Sequence, residues 1–134
     1  MTENTDSICV CVVENDEAVR TSLSRLLKAS RIDVELFASL SDFNEAPRRT
    51  QCNCLLIDLR SLLPREHTML IQESRKAGSL LPIIAVSDLD DETSRRKARE
   101  LGARIVLHKP VDGQALLDAI NWITDAAEPA VMKI

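Results

Sequence analysis

The chain alternates between short apolar runs and longer segments with helical periodicity. Three runs, Ile8–Val13, Cys54–Ile57 and Pro82–Val86, lack the alternation of a half-exposed strand. Continuous apolar runs of this length are typical of strands covered on both faces, as in a parallel sheet. Two further strands are predicted at Asp33–Phe37, where apolar and polar residues alternate, and at Arg104–His108. The pattern therefore predicts five strands, three of them buried.

Helices are predicted between and after these strands. In residues 17–30, apolar side chains at helical spacing form one face, and Arg20 is assigned to the outward face. The other predicted helices are 39–46, 64–78, 90–102 and 112–126. Serine, proline and glycine lie at the ends of these segments, as is typical of helix N-caps, first turns and C-termini.

The regular alternation of strands and helices predicts an α/β fold. We expect a five-stranded parallel sheet of order 2-1-3-4-5, with right-handed crossovers and helices on both faces. With 134 residues, the chain has the size of one domain. We predict this domain at residues 8–126, preceded by a disordered N-terminus at 1–7 and followed by a flexible tail at 127–134.

Composition narrows the classes of function. The 17 basic and 21 acidic residues give a net charge of -4, which argues against a nucleic-acid-binding surface. No apolar run approaches the roughly 20 residues of a membrane span. The opening MTENTDS has no signal-peptide pattern, so a cytoplasmic location is expected.

Four cysteines form two C-x-C pairs, Cys9/Cys11 and Cys52/Cys54. Within a strand, residues i and i+2 share a face, so each pair is expected to present two thiols together. Burial as small core residues is the favoured interpretation, and metal binding is the alternative. A disulfide is not expected in a reducing compartment.

Polar residues follow the ends of the predicted strands. In a parallel sheet the carboxyl ends of the strands meet at one rim, where functional groups collect. The residues expected on this rim are Glu14, Asn15, Asp58, Ser87, Asp88 and Lys109. Asp16 and Glu17, which come next after the first strand, are interpreted as acids at a helix N-terminus.

Several segments together resemble the receiver domain of two-component response regulators. These segments are DEAVRTSLSRLL, LLIDLR, LPIIAVS, ELGARIVLHKPVD and ALLDAI. The resemblance covers Ile8 to about Ala126 and is closest to receivers that precede a helix-turn-helix output domain. It implies a flavodoxin-like fold and a signalling module rather than an enzyme.

The resemblance also implies a role for each rim residue. Asp58 matches the aspartate that accepts a phosphoryl group from a histidine kinase. Glu14 and Asn15 match the positions that, with Asp58, hold a divalent cation, Mg²⁺. Ser87 and Lys109 match the residues that contact the phosphoryl oxygens. A cis peptide is expected between this lysine and the proline that follows it.

The chain departs from the family pattern at several positions. Asn15 replaces a carboxylate, Asp88 replaces a small residue on the donor's access path, and Val106 replaces an aromatic switch residue. In the loop after Asp58, Leu62 and Glu66 replace the usual proline and glycine. These departures predict weakened Mg²⁺ binding and phosphorylation. The alternative is a pseudo-receiver that binds protein partners without phosphorylation.

Partners and competing functions follow from the same comparison. A histidine kinase or another signalling protein is the expected partner. The fourth helix, fifth strand and fifth helix are the expected homodimer face, as in similar receivers. A small phosphohydrolase is disfavoured because Arg60 stands where a second acid is needed. A flavin-binding domain is disfavoured because the acidic ENDEAVR would repel phosphate.

Overall fold

The computed structural model of the protein describes residues 8–46, 52–74 and 81–125, with the backbone alone at 72–74. The described residues form one parallel sheet of order β2-β1-β3-β4-β5. Its strands are β1 Cys9–Val13, β2 Asp33–Phe37, β3 Cys54–Asp58, β4 Ile83–Ser87 and β5 Ile105–His108. The predicted fold class and strand order are confirmed.

Helices follow the strands in alternation. They are α1 Glu17–Ala29, α2 Leu40–Glu45, α3 Pro64–Ser74, α4 Glu92–Leu101 and α5 Gly113–Asp125. A single 3-10 turn, Leu59–Ser61, directly follows β3 within the described part of the chain. No helix among the described residues has the length and apolar character needed to cross a membrane.

The core consists of two layers, one on each face of the sheet. Neighbouring residues of β1 enter different layers, since Val12 packs with α1 and α5 and Val13 packs with α2 and α4. The strands β3 and β4 are buried along their whole length. Burial on both faces explains why these strands have continuous apolar sequences.

The ends of the helices follow local capping chemistry. Asp16 caps α1, accepting hydrogen bonds from the backbone N–H groups of Ala18 and Val19. Ser39 caps α2, accepting a hydrogen bond from the backbone N–H of Asp42. Gly102 ends α4 at φ 83°, a left-handed conformation that glycine adopts without strain. The predicted termini 1–7 and 127–134, and the predicted glycine stop after α3, lie outside the described residues.

Arg20 departs from its predicted outward position. Its side chain is half-buried, and Nη1 donates a 2.7 Å hydrogen bond to the carbonyl oxygen of Glu14. The long side chain reaches back over the first turn of α1 to the end of β1. Periodicity alone assigned its direction wrongly because a long arginine can fold back along a helix.

The cysteines also differ from the predicted arrangement. Cys11 and Cys52 form a disulfide, with their Cα atoms 6.0 Å apart, so the expectation that no disulfide forms is wrong. Cys52 packs with the layer of α2, whereas Cys54 is buried in the layer of α1 and α5. The second C-x-C pair therefore does not share a face, because Cys52 precedes the strand that begins at Cys54.

Candidate functional site

Charged side chains gather at the carboxyl ends of the central strands. Asp58 is the last residue of β3, Glu14 follows β1, and Lys109 follows β5. Asp88 follows β4. The parallel topology brings together four groups that are up to 95 residues apart in sequence, as predicted for this rim.

Lys109 lies among three carboxylates. Its Nζ is 2.9 Å from Oδ2 of Asp58, 3.7 Å from Oε1 of Glu14 and 3.4 Å from Oδ1 of Asp88. Lys109 and Asp58 therefore form an ion pair. The peptide bond between Lys109 and Pro110 is cis, as predicted.

Glu14 and Asp58 are almost completely buried, with 3% and 4% of their surface exposed. Burial raises the pKa of Glu14, and the neighbouring Asp58 carboxyl acts in the same direction. A 3.1 Å hydrogen bond from the backbone N–H of Asp16 opposes this rise. Ionisation of Glu14 in this pocket is therefore unfavourable, and a nearby cation can offset the free-energy cost.

Lys109 remains a strong cation in this pocket. Partial burial disfavours its charge, but the hydrogen bond to Asp58 and the charges of the three carboxylates outweigh burial. Together they raise the pKa of Lys109 above its ordinary value. The lysine is therefore charged at neutral pH and is available to pair with an anion.

Asp88 is held by a second cation, Arg60. The guanidinium of Arg60 donates a hydrogen bond to Oδ2 of Asp88, and this contact lowers the pKa of Asp88. The arginine side chain is 74% exposed and that of Asp88 24%. The ion pair therefore lies at the solvent-facing mouth of the site, where it partly neutralises the acid on the predicted access path.

Ser61 belongs to the site, although the sequence analysis did not identify it. Its Oγ accepts a 2.9 Å hydrogen bond from the backbone N–H of Asn15 and donates a 3.4 Å bond to Oδ2 of Asp58. The 3-10 turn after β3 carries the buried hydroxyl back over the carboxylate. A serine three residues after a strand-end aspartate was the available signal, since one helical turn brings i and i+3 together.

Three predicted residues lie at the edge of this arrangement. The hydroxyl of Ser87 donates to the carbonyl of Leu89 at 2.7 Å and accepts from its N–H at 3.1 Å. Asn15 has an exposed side chain, and Val106 is half-buried in β5. Ser87 does not cap the next helix, because Asp91 caps α4.

The loop after Asp58 is shaped by a buried acid. Glu66 has 7% of its surface exposed, and it accepts hydrogen bonds from the N–H of Leu63 and the hydroxyl of Ser41. Leu62 packs into the core layer of α2, whereas Leu63 is 59% exposed. Glu66 thus stabilises the start of α3 from the position where the family has glycine.

A cavity of about 670 Å³ opens beside the charged cluster. Glu14, Asp58 and Lys109 line its polar end. Apolar residues line the rest, and they come from α1, the central strands, the segment after β5 and α5. The carboxylate of Asp58 is therefore buried within the fold yet adjoins this cavity.

A comparison with known families decides the identity of this arrangement. The sequence model of the family described as "Response regulator receiver domain" matches residues 10–121. The chain belongs to this family. It is a receiver domain of the two-component type.

Two relatives of the chain are named as a transcriptional regulatory protein and a response regulator. The receiver is 34% identical over 120 residues to the transcriptional regulatory protein TdiR of Thauera aromatica, covering 90% of this chain and 52% of TdiR. It is 33% identical over 113 residues to the response regulator protein TodT of Pseudomonas putida, covering 84% of this chain and 49% of TodT. The chain spans about half the length of these relatives.

Solved structures support the same fold. Full-length FixJ from B. japonicum matches with a TM-score of 0.79 and 27% identity, over 92% of this chain and 61% of FixJ. A response regulator receiver protein from Burkholderia phymatum matches with a TM-score of 0.74 and 23% identity. That match covers 89% of this chain and 96% of the other.

The donor atoms of the receiver suit a hard divalent cation. Glu14 and Asp58 contribute buried carboxylates on neighbouring strands, and Mg²⁺ is commonly held by one or two carboxylates with waters. Asn15 contributes an amide that carries no formal charge. The residues therefore fit Mg²⁺, with one charge fewer than a set of three carboxylates.

Proposed function

We propose that the receiver accepts a phosphoryl group on Asp58. The observation that supports this proposal is the contact of the buried Asp58 carboxylate with Lys109, at 2.9 Å, beside an open cavity. An ammonium in this position is suited to pair with a phosphoryl oxygen after transfer. The chain would then be the recipient of a phosphoryl group rather than an enzyme with a substrate of its own.

The transfer step follows from the arrangement of the charges. An oxygen of Asp58 attacks phosphorus, the bond from phosphorus to the donor breaks, and the donor leaves with the bonding electron pair. Lys109 exchanges its bond to Asp58 for one to a phosphoryl oxygen. Glu14 and Asp58, with Asn15, would hold Mg²⁺, which would offset the negative charge of the phosphoryl oxygens.

Four residues support a weakened form of this chemistry. Asn15 contributes no charge to the cation, and Asp88 adds a carboxylate near the mouth of the site. Val106 has no aromatic ring with which to report the state of Asp58. Ser87 would have to release Leu89 before its hydroxyl could reach a phosphoryl group, because both of its polar functions are engaged there.

Partners and location extend the proposal. The donor would be a histidine kinase or another signalling protein, and the chain would act in the cytoplasm. A homodimer would use the face formed by α4, β5 and α5. Trp122 of α5, with 59% of its surface exposed, supplies an apolar contact for this face. The net charge of -4 gives no support for direct nucleic-acid binding by this domain.

A second candidate is a receiver that binds its partner without phosphorylation. The observation that favours it is that the charged groups of the site already pair with one another. Lys109 already bridges three carboxylates, and Arg60 covers Asp88. This network gives the site a stable arrangement without a phosphoryl group.

Intact-mass analysis separates the two candidates. The chain is incubated with acetyl phosphate and Mg²⁺, alongside Asp58→Asn and a control, Asp90→Asn, outside the site. Addition of one phosphoryl group to wild type and Asp90→Asn, with none on Asp58→Asn, is expected. If wild type gains no mass, or if Asp58→Asn gains the same mass, the proposal of Asp58 as phosphoacceptor fails.

A further inference from the structure

Three cysteine sulfurs lie together at the end of the sheet opposite Asp58. The Sγ atoms of Cys9, Cys11 and Cys52 are all within 4.8 Å of one another. The first two belong to β1, and Cys52 lies two residues before β3. The proposed phosphoryl chemistry uses none of these thiols.

Strand geometry and local hydrogen bonds explain the cluster. Cys9 and Cys11 share a face because they are two residues apart in a strand. Asn53 donates its backbone N–H to the carbonyl of Cys9 at 2.8 Å, and its Oδ1 accepts the N–H of Cys9 at 2.8 Å. These two bonds hold Cys52 beside β1. Cys54 is excluded from the cluster because it is buried in the other core layer.

Once the Cys11–Cys52 disulfide is reduced, the three sulfurs are close enough to bind one cation that prefers sulfur. Zinc–sulfur bonds of about 2.3 Å place the sulfurs of a tetrahedral site roughly 3.8 Å apart. Cys11 is fully buried, whereas Cys9 and Cys52 are partly exposed, so one side of the cluster faces solvent. Three thiolates leave a fourth position for water or an external ligand, as in open zinc sites.

We propose that reduced Cys9, Cys11 and Cys52 form a three-thiolate site for a thiophilic cation, Zn²⁺ or Cu⁺. The Cys11–Cys52 disulfide is the competing form, because thiolates and not disulfide sulfurs are the metal ligands. A dithiol reductant converts the disulfide to two thiols and itself becomes a disulfide. The cation then binds as the thiol protons leave to solvent.

The thiol site is separate from the phosphoacceptor. β1 runs from Cys9 at one end to Glu14 just past the other, which corresponds to roughly 16 Å at the rise of a strand. Carboxylates and amides select hard cations, and thiolates select soft ones. Thiol ligation therefore does not depend on whether Asp58 is phosphorylated, and the two proposals fail independently.

Metal titration of the reduced chain tests the site. The full 134-residue chain is reduced under anaerobic conditions and titrated with Zn²⁺ or Cu⁺ against a chromophoric chelator, with excess Mg²⁺ present. Co²⁺ serves as a spectroscopic probe, because thiolate-to-cobalt absorption reports sulfur ligation directly. The test variants are Cys9→Ser and Cys52→Ser. Cys54→Ala is the matched control, since it removes a thiol outside the cluster.

One Zn²⁺ or Cu⁺ per reduced chain is expected, with thiolate-to-cobalt absorption in the Co²⁺ arm. The oxidised chain should bind neither cation. Loss of an outer-shell partner alone weakens metal binding by roughly 10–100-fold, so Cys9→Ser should weaken it by at least about a hundredfold. Cys54→Ala should bind as wild type does.

Two results would overturn the thiol site. The first is reduced wild type that binds neither Zn²⁺ nor Cu⁺ and shows no thiolate-to-cobalt absorption. The second is equal affinity of wild type and Cys9→Ser for both cations. Circular dichroism monitors folding of every variant. Cys9 is partly exposed, so Cys9→Ser is expected to fold. The test can therefore be made with this variant even if Cys52→Ser does not fold.

Discussion

Lys109 donates a 2.9 Å hydrogen bond from Nζ to Oδ2 of Asp58, across 51 residues of sequence. The same ammonium lies 3.7 Å from Glu14, so one cation serves two buried carboxylates. Removal of this cation would leave both acids buried without a compensating charge. An uncompensated buried charge strongly destabilises a fold. The contact therefore stabilises the fold and holds a positive charge in the site, where it can pair with an anion.

Lys109→Met is expected to lower the free energy of unfolding by about 1–3 kcal/mol. This range lies below the ~3–5 kcal/mol for a fully buried pair because the lysine side chain is 28% exposed. Urea unfolding without divalent cations measures the loss in wild type and in an Asp58→Asn background. The loss should be smaller in that background, and equal losses in both would show that the pair is not coupled.

Asn15→Asp is expected to tighten Mg²⁺ binding by roughly tenfold to a hundredfold. A carboxylate facing the ion adds on the order of 1–3 kcal/mol, at ~1.4 kcal/mol per decade. Isothermal titration measures the affinity, with Asn15→Ala as the control that changes the side chain without adding charge. Wild type that already binds in the low-millimolar range or tighter, with no gain in Asn15→Asp, would contradict a weakened pocket.

Asp88→Ala is expected to speed labelling of Asp58 by acetyl phosphate roughly fivefold. Removal of one like charge near the donor's path is worth about 1 kcal/mol in a partly solvated site. Arg60→Gln should slow labelling because it exposes the charge of Asp88. Asp90→Ala, an exposed acid paired with Arg95, is the control. If Asp88→Ala and Asp90→Ala label at the same rate, Asp88 does not govern access.

Glu14→Gln is expected to raise the melting temperature by roughly 2–6 °C at neutral pH. Burial raises the pKa of Glu14 in the folded state, so ionisation of this acid destabilises the fold. The penalty is absent below the unfolded pKa and complete above the folded pKa. The advantage of the variant should therefore shrink as pH falls through the raised pKa of Glu14.

Thermal unfolding at several pH values, without divalent cations, tests this dependence. Glu17→Gln, which removes an exposed acid from the first turn of α1, is the matched control. Its stability relative to wild type should not follow the same pH curve. A Glu14→Gln advantage that grows toward acid pH would reverse the assigned sign.

Trp122→Glu is expected to weaken self-association of the phosphorylated chain by at least about tenfold. This corresponds to a loss of ~1.4 kcal/mol or more in the free energy of association. The charged residues of α4 are expected to contribute little to self-association. Arg95 and Arg99 already pair with Glu92 of the same helix. Exposed pairs of this kind contribute little each.

Light scattering across protein and salt concentrations measures the association. Thr21→Glu, which adds the same charge on α1, is the control. A chain that stays monomeric at all concentrations, phosphorylated or not, would contradict the dimer proposal. Equal weakening by both substitutions would assign the effect to net charge rather than to the face of α4, β5 and α5.

The sequence by itself determined the architecture of this receiver. Continuous apolar runs predicted β1, β3 and β4, and caps such as Asp16 and Gly102 marked helix ends. These signals are local, since a strand or helix needs only its own period and its end residues. The convergence of Glu14, Asp58 and Lys109 was also predictable, because parallel strands place their carboxyl ends at one rim.

Only the tertiary structure decided which side chains meet. Arg60 pairs with Asp88 across 28 residues, and Ser61 joins Asn15 to Asp58. The disulfide between Cys11 and Cys52 spans 41 residues. Such contacts depend on strand register and on the path of loops between elements. Periodicity assigns a residue to a face but not to a neighbour, because a neighbour's position is set by another part of the chain.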